Sequence, residues 1–227
     1  MRRFLPLLWA GLLVIATVSV VACGSSNSGG GAPNQGPISR SGDEQEQTTS
    51  YTVSDPVTSL VVDDHAGNVR VIGGDGNGVA VIERAVFQNT APQATHKVES
   101  GQLTLTYSCP NGSCGINYEV HIPRSLSVQV NSDAGNVWLH SLSGEVKTNV
   151  QAGNVEAAFD QPPNMVNFTV GAGNLSLRLP GEDTYAVNAT VEVGMSNVDV
   201  QQDASSSHKI NARVNVGRLT IDTRDTR

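Results

Sequence analysis

A four-residue corner recurs along this chain and constrains its fold more than any other feature. Ala66-Gly67-Asn68-Val69, Ala134-Gly135-Asn136-Val137, Ala152-Gly153-Asn154-Val155 and Ala172-Gly173-Asn174-Leu175 are nearly identical. Met195-Ser196-Asn197-Val198 and Val216-Gly217-Arg218-Leu219 read as degenerate copies. From Asn136 onward the third positions are spaced by 18, 20, 23 and 21 residues. Fixed turns at a period near 20 mark a stacked-repeat architecture. Glycine takes positive φ without steric cost and asparagine tolerates it better than most residues, so each Gly-Asn pair makes a sharp turn between strands.

Period-two alternation starts directly after each corner. The first residues past it are Val137, Val155, Leu175, Val198 and Leu219, and the third are Leu139, Ala157, Leu177, Val200 and Ile221. The second residues, Trp138, Glu156, Ser176, Asp199 and Thr220, are mostly polar. One phase held through five units means one buried face and one wet face. Runs such as Val166/Phe168/Val170 and Ile210/Ala212/Val214 alternate before the corners as well. A unit of two or three short strands cannot hold a core alone, but parallel coils stacked about 4.8 Å apart share a continuous interior. Corner asparagines would then form a hydrogen-bonded ladder along the stack. An antiparallel sandwich is the competing architecture; the even spacing of the corner favours the solenoid.

The N-terminus reads as an export signal. Met1-Arg2-Arg3 is basic, Phe4 to Val21 is apolar and uncharged, and Ala22 precedes Cys23. Val20-Val21-Ala22-Cys23 resembles the bacterial lipobox, whose thiol receives a diacylglycerol and becomes the first residue of the mature protein. The run falls just short of the ~20 apolar residues of a membrane-spanning helix. Gly24 to Ser50 is almost free of apolar residues and is expected to be a disordered tether. A flexible coil of its 27 residues spans about 30 Å.

Arg2 and Arg3 leave with the signal, so the mature chain carries 12 Lys and Arg against 21 Asp and Glu, a net charge of −9. That balance excludes a nucleic-acid partner, which requires clustered Lys and Arg. It also repels anionic headgroups, so membrane association falls to the lipid. With Cys23 acylated, Cys109 and Cys114 form an even pair outside the cytoplasm, where oxidation is expected. Pro110-Asn111-Gly112 is a turn signal between two alternating runs, Leu103–Tyr107 and Ile116–Ile122. The pair is therefore read as a disulfide clipping a hairpin tip, contributing about 2 kcal/mol through loop closure. A metal or redox role is the rival reading, without Cys-x-x-Cys spacing to support it.

Catalytic constellations are sparse. Asn111 to Gly115 departs from a nucleophile elbow at its first glycine. His65, His96, His121, His140 and His208 lack metallohydrolase pairings. Asp63-Asp64-His65, the densest polar triplet, reads as a solvated strand end rather than a metal site. Gly73 to Val79 resembles the calcium-binding nonapeptide of β-rolls but has Gly78 where aspartate is needed and occurs once; it reads as a hairpin turn. The mature chain keeps one tryptophan, Trp138, which argues against a lectin or polysaccharide lyase. Neither a cofactor nor a metal nor a catalytic residue is expected.

The lipobox, the polar tether and the Ala-Gly-Asn-Val corner within Val-rich alternating strands resemble the bacterial putative-adhesin family. This is a domain-of-unknown-function family of cell-envelope proteins with a right-handed β-helix-like fold. The resemblance covers about residues 51 to 227, implies surface binding by analogy, and carries no catalytic residues.

The chain is thus expected to be all-β: a signal peptide over 1–22, the lipidated cysteine and tether over 23–50, and a β-solenoid over 51–227. The solenoid should be a right-handed parallel β-helix of about 20-residue coils with an N-terminal antiparallel hairpin portion. Its expected role is non-enzymatic, as a lipid-anchored interaction or adhesion module or an envelope-stress accessory. It would meet an unidentified protein or envelope polymer; the alternative is a β-helix enzyme acting on a cell-wall or extracellular glycan. Stacking in register would bring Trp138 and His140 together near the Cys109–Cys114 turn. There Trp138 either anchors an interface or lies beneath a cap made by the hairpin or by the strands around Leu60 to Ile72.

Overall fold

The corner glycines organise the whole molecule, a computed structural model that describes residues 44–111 and 113–224. The expected signal peptide, Cys23, the expected tether up to residue 43, Gly112 and residues 225–227 lie outside the described residues. Fourteen strands form one curled, mixed sheet, with no helix among the described residues. The strands are β1 (Gln45–Val53), β2 (Ser59–Ala66), β3 (Val69–Gly74), β4 (Val79–Phe87), β5 (Gln93–Glu99), β6 (Gln102–Ser108) and β7 (Cys114–Pro123). There follow β8 (Ser127–Ala134), β9 (Val137–His140), β10 (Val146–Ala152), β11 (Val155–Ala158), β12 (Met165–Pro180), β13 (Ala186–Asp199) and β14 (Lys209–Arg224).

The sheet folds along the corners into two arms. Before the corner the strands run β5-β6-β2-β8-β10-β12-β14-β13, and after it β1-β4-β7-β3-β9-β11-β12-β14-β13. Every pairing is parallel except β5–β6, β1–β4 and β4–β7. The architecture is solenoid-like, and the antiparallel pairs gather at its N-terminal end.

Inward residues line up in rows. Leu103, Leu60, Val128, Val146, Val166 and Ile210 follow one another across the first arm, each at most 2% exposed. On the second arm Val120, Val71, Leu139, Ala157, Leu177 and Ile221 do the same. Burial of such a side chain contributes roughly 1.5–3 kcal/mol, so the rows carry most of the stability.

The ladder expected at Asn68, Asn136, Asn154 and Asn174 is present. Asn68 Oδ1 accepts from the Asn136 backbone N–H and side-chain amide, Asn136 Oδ1 from Asn154, and Asn154 Oδ1 from Asn174, at 2.8–3.2 Å. Asn117 begins it, accepting from both nitrogens of Asn68 at 2.9 Å. Gly67, Gly135, Gly153 and Gly173 hold φ between 146 and 155°.

Four expectations are corrected. Leu103–Tyr107 and Ile116–Ile122 do not form a hairpin: β6 pairs with β2 and β5, and β7 with β3 and β4. They are the two arms of one coil, and the Cys109–Cys114 disulfide closes an enlarged corner between them, its Cα atoms 5.7 Å apart. The hairpin lies upstream, where Ser100 and Gly101 at φ 50 and 81° join β5 to β6.

Second, Gln45–Ser50 are not tether but most of β1, antiparallel to β4. Five of these six side chains are exposed, so composition hides the strand; backbone bonds to an otherwise open edge hold it. Third, Gly73 to Val79 is no hairpin turn, because β7 lies between β3 and β4. Fourth, the last coils do not stack in chain order. β14 inserts between β12 and β13, and Gly194, at φ 138°, pairs with Gly217. The fifth corner is therefore Val193-Gly194-Met195-Ser196, two residues before Met195-Ser196-Asn197-Val198. Asn197, not Asp199, sits across from Thr220.

A Cβ on Gly153 would collide with the carbonyl oxygen of Gly135, whereas one on Gly76 meets nothing within 4 Å. Gly153→Ala is expected to lower stability by on the order of 3 kcal/mol or more, read as the urea unfolding midpoint. Gly76→Ala should leave that midpoint in place.

Candidate binding surface

Alternation after the corner sends every second side chain outward, and the parallel register turns these into rows. One row reads Ile82, Glu119, Arg70, Trp138, Glu156, Ser176, in strand order from β4 to β12. The next places His140 between Ile72 of β3 and Ala158 of β11. Trp138 and His140 are thus two residues apart on one strand face, both half-buried.

Neither the hairpin nor the strands around Leu60 to Ile72 cover Trp138. Those strands continue the stack instead, with β3 beside β9 and Arg70 directly across from Trp138. The Arg70 guanidinium carbon lies 5.4 Å from the Trp138 ring centroid, within the range of a cation–π contact. Trp138 therefore sits inside the row rather than at the end of the solenoid.

A groove of about 270 Å³ opens beside this pair, walled by Arg70, Arg84, Asn68, Asn117, Glu119 and Trp138. Arg84 projects from β4 opposite Asn117; it is exposed and makes no ion pair among the described residues. The acids nearby are engaged elsewhere. Glu119 meets His121 at 3.0 Å, and Glu156 accepts from Arg178 at 3.0 Å. The groove therefore offers two guanidinium groups and the edge of an aromatic ring, bordered by the first rungs of the asparagine ladder.

Sequence reading missed Arg70, Arg84, Asn117 and Glu119. Arg70 was legible as the second residue past the first corner, and Asn117 as the corner asparagine of Gly115-Ile116-Asn117. Arg84 carried no local signal, since only the antiparallel docking of β4 on β7 brings it here.

The triplet Asp63-Asp64-His65 separates by alternation. Asp63 accepts from Asn131 at 2.6 Å and His65 meets Asp133 at 2.9 Å, both on the outer side. Asp64 turns inward, 2% exposed, and accepts from Ser132 at 3.4 Å. Tyr107 closes the space beside it, exchanging 2.7 Å hydrogen bonds with both backbone groups of Ala66. No group of three His, Cys, Asp or Glu able to hold a metal occurs among the described residues.

Residues 117–225 match the family model described as Toastrack DUF4097. The match covers 109 of the 227 residues, so this part of the chain is similar to that domain. It runs from within β7 to the end of β14, so the groove lies where the domain meets the preceding strands.

Among solved structures, a putative cell adhesion protein from Clostridium sporogenes is similar at 14% identity, with a TM-score of 0.63 over 80% of this chain and 100% of that one. Putative adhesins from Parabacteroides merdae and Bacteroides fragilis match at 11% and 10% identity. Each covers 78% of this chain and 97% of its own, with TM-scores of 0.30 and 0.36. The first of these likenesses shows a shared fold; the other two superpose too loosely to add to it. No curated protein matches the sequence.

Burial pushes the Asp64 carboxyl up to about 6, against the opposing pull of the hydrogen bond from Ser132. A carboxyl raised on folding stabilises the fold below its unfolded value near 4, and that contribution is lost as pH rises through about 6. Asp64→Asn should therefore flatten the fall in stability between pH 4 and 7. At pH 7.5 the variant is expected to be more stable than wild type by about 2 kcal/mol, measured as paired urea midpoints across that range.

Proposed function

We propose that this protein is a non-enzymatic binding module of the bacterial cell envelope, held to the membrane by lipid on Cys23 and raised on the tether that follows. Its groove beside Trp138 takes an anionic envelope polymer, one bearing carboxylate or phosphate groups. The observation that carries this reading is the pairing of two guanidinium groups without carboxylate partners, Arg70 and Arg84, against a half-buried tryptophan on a rigid sheet. On a chain with 21 acids, two guanidinium groups against the single carboxylate of Glu119 in one groove stand out. Guanidinium forks match carboxylate and phosphate geometry, and tryptophan supplies rigid contact area. The adhesion-related name of the Clostridium sporogenes neighbour agrees with a surface role, and a surface role agrees with the export signal.

An enzymatic reading would need an acid and a base free to act in the groove. Glu119 and Glu156 share this face but are taken up by His121 and Arg178, which favours holding a ligand over transforming it.

Arg70→Ala with Arg84→Ala is expected to weaken retention of the full-length protein on purified cell-envelope polymer at least tenfold. Trp138→Ala should weaken it less. Raising the salt from 0.15 to 0.5 M should weaken the wild type, because screening shortens the reach of the charges. All three side chains point outward, so unfolding midpoints should stay near the wild-type value. Undiminished retention by the double variant would remove the groove from consideration.

The anchor is tested separately. Cys23→Ala should shift the protein from the detergent phase to the aqueous phase or leave its signal uncut, and mass spectrometry of the wild-type N-terminus should show an acylated cysteine. An unmodified Cys23 in the wild type would refute the lipid anchor.

A further inference from the structure

The two ends of the solenoid differ. At the N-terminal end the parallel arms are closed by antiparallel strands, β1 and β4 on one arm and β5 on the other. At the other end β13 pairs with β14 alone; Gln201 and Asp203 bond the backbone of Tyr185 just before it, and beyond that point its far edge is unpaired among the described residues. The inward residues of β13 continue the core rows without a cover. Val187, Ala189, Val191 and Val198 are half-buried, whereas their neighbours Ile210, Ala212, Val214 and Ile221 are at most 3% exposed. Among the described residues the exposed large hydrophobic side chains are Val193 at 64% and Met195 at 59%, at this last corner, and Val216 at 53%, at the adjoining corner of β14. Elsewhere alanine and asparagine hold these positions, as in Ala152 and Asn154.

An open, apolar edge of 14 residues is a template for strand addition, and soluble proteins normally block such edges with charge, proline or a cap. β13 has no proline or lysine, and its charges are Glu192 and Asp199. We propose that the occupant of this edge is β13 of a second copy, joining two solenoids end to end about a two-fold axis.

Three observations select the second copy. A strand continuing the stack must turn where β13 turns, and another β13 brings its own corner to that place, with Gly194 of each copy facing Met195 of the other. The register is self-complementary. Because the corner shifts the alternation by one residue, antiparallel pairing centred between Gly194 and Met195 sets inward Val191 against the other copy's Val198, and Ala189 against its Val200. In that register Glu192 faces Asn197 and Asp199 faces Thr190, so no acid meets an acid. Finally, the described chain enters at β1, eight strand spacings or about 38 Å from β13. Two copies could therefore meet by their open ends while both remain tethered.

Directly opposed strand residues have Cα atoms about 4.5–5.5 Å apart, within disulfide range. Full-length protein carrying Glu192→Cys and Asn197→Cys together is expected to run as a disulfide-linked dimer after mild oxidation on cells. Neither single variant, nor Ser176→Cys two strands inward, should do so. In detergent, wild type should sediment at twice the protomer mass. Val193→Lys should sediment as the protomer with an unchanged unfolding midpoint, since that side chain is already largely in solvent. Monomeric wild type at tens of micromolar, failure of the double variant to cross-link, or dimerisation that survives Val193→Lys would each overturn the proposal. So would a cross-linked species of another mass, which would assign the edge to a different partner. The groove reading stands or falls independently, because Val193→Lys leaves Arg70, Arg84 and Trp138 untouched.

Discussion

Everything in this fold depends on how closely one corner lies on the next. A Cβ on Gly135 would strike the carbonyl oxygen of Gly67, one on Gly153 that of Gly135, and one on Gly173 that of Gly153. The backbones approach to a distance that only glycine permits, and the close stack brings neighbouring amides within bonding range: Gly135 N–H donates to Ala152 O at 3.0 Å and Gly153 N–H to Ala172 O at 2.9 Å. Register follows from this contact. A strand slipped by one residue would both invert its faces and put a side chain into that column, so the corners pin the apolar rows and the asparagine ladder together. Each ladder bond adds about 0.5–1.5 kcal/mol, less than the rows supply, and its larger effect is on which register wins.

The same contact explains which parts of the fold were legible. Ala-Gly-Asn-Val is visible because glycine and asparagine are both required there, and the alternation beyond it is visible because water lies on one side only. The coil formed by β6 and β7 escaped because five residues and a disulfide replace the tight turn; the chain resumes the pattern at Gly115-Ile116-Asn117 without the preceding alanine. Its disulfide was correctly paired, but its place in the fold was not. At the C-terminal end Asn197 and Val198 imitate a corner, while the true one, Gly194, lacks the asparagine. The insertion of β14 between β12 and β13 left no mark in the sequence, since parallel coils with the same corner can exchange places without changing their local pattern.

The groove beside Trp138 was half legible for a related reason. Outward positions are free of the packing constraint, so nothing in their sequence separates function from ordinary solvent contact. Trp138 stood out as the lone tryptophan beyond the N-terminal apolar run. Arg84 reaches the same spot from an antiparallel strand outside the repeat, and its contribution depends on the docking of β4 against β7. The groove forms where regular coils meet the irregular cap, a place that repetition cannot encode.

The opposite end shows what happens when the corner persists but its neighbours change. Gly217 and Gly194 keep the glycine column intact through the last two coils. The asparagine position, however, becomes Arg218 in β14 and Met195 in β13, and the alanine position becomes Val216 and then Val193. Loss of the ladder coincides with the appearance of exposed apolar side chains. Were the end merely solvated, polar substitutions at these positions would carry no packing penalty and would lower the risk of nonspecific association. Hydrophobic replacements on a strand that keeps its corner glycine instead suit an edge whose next neighbour in the stack is another coil.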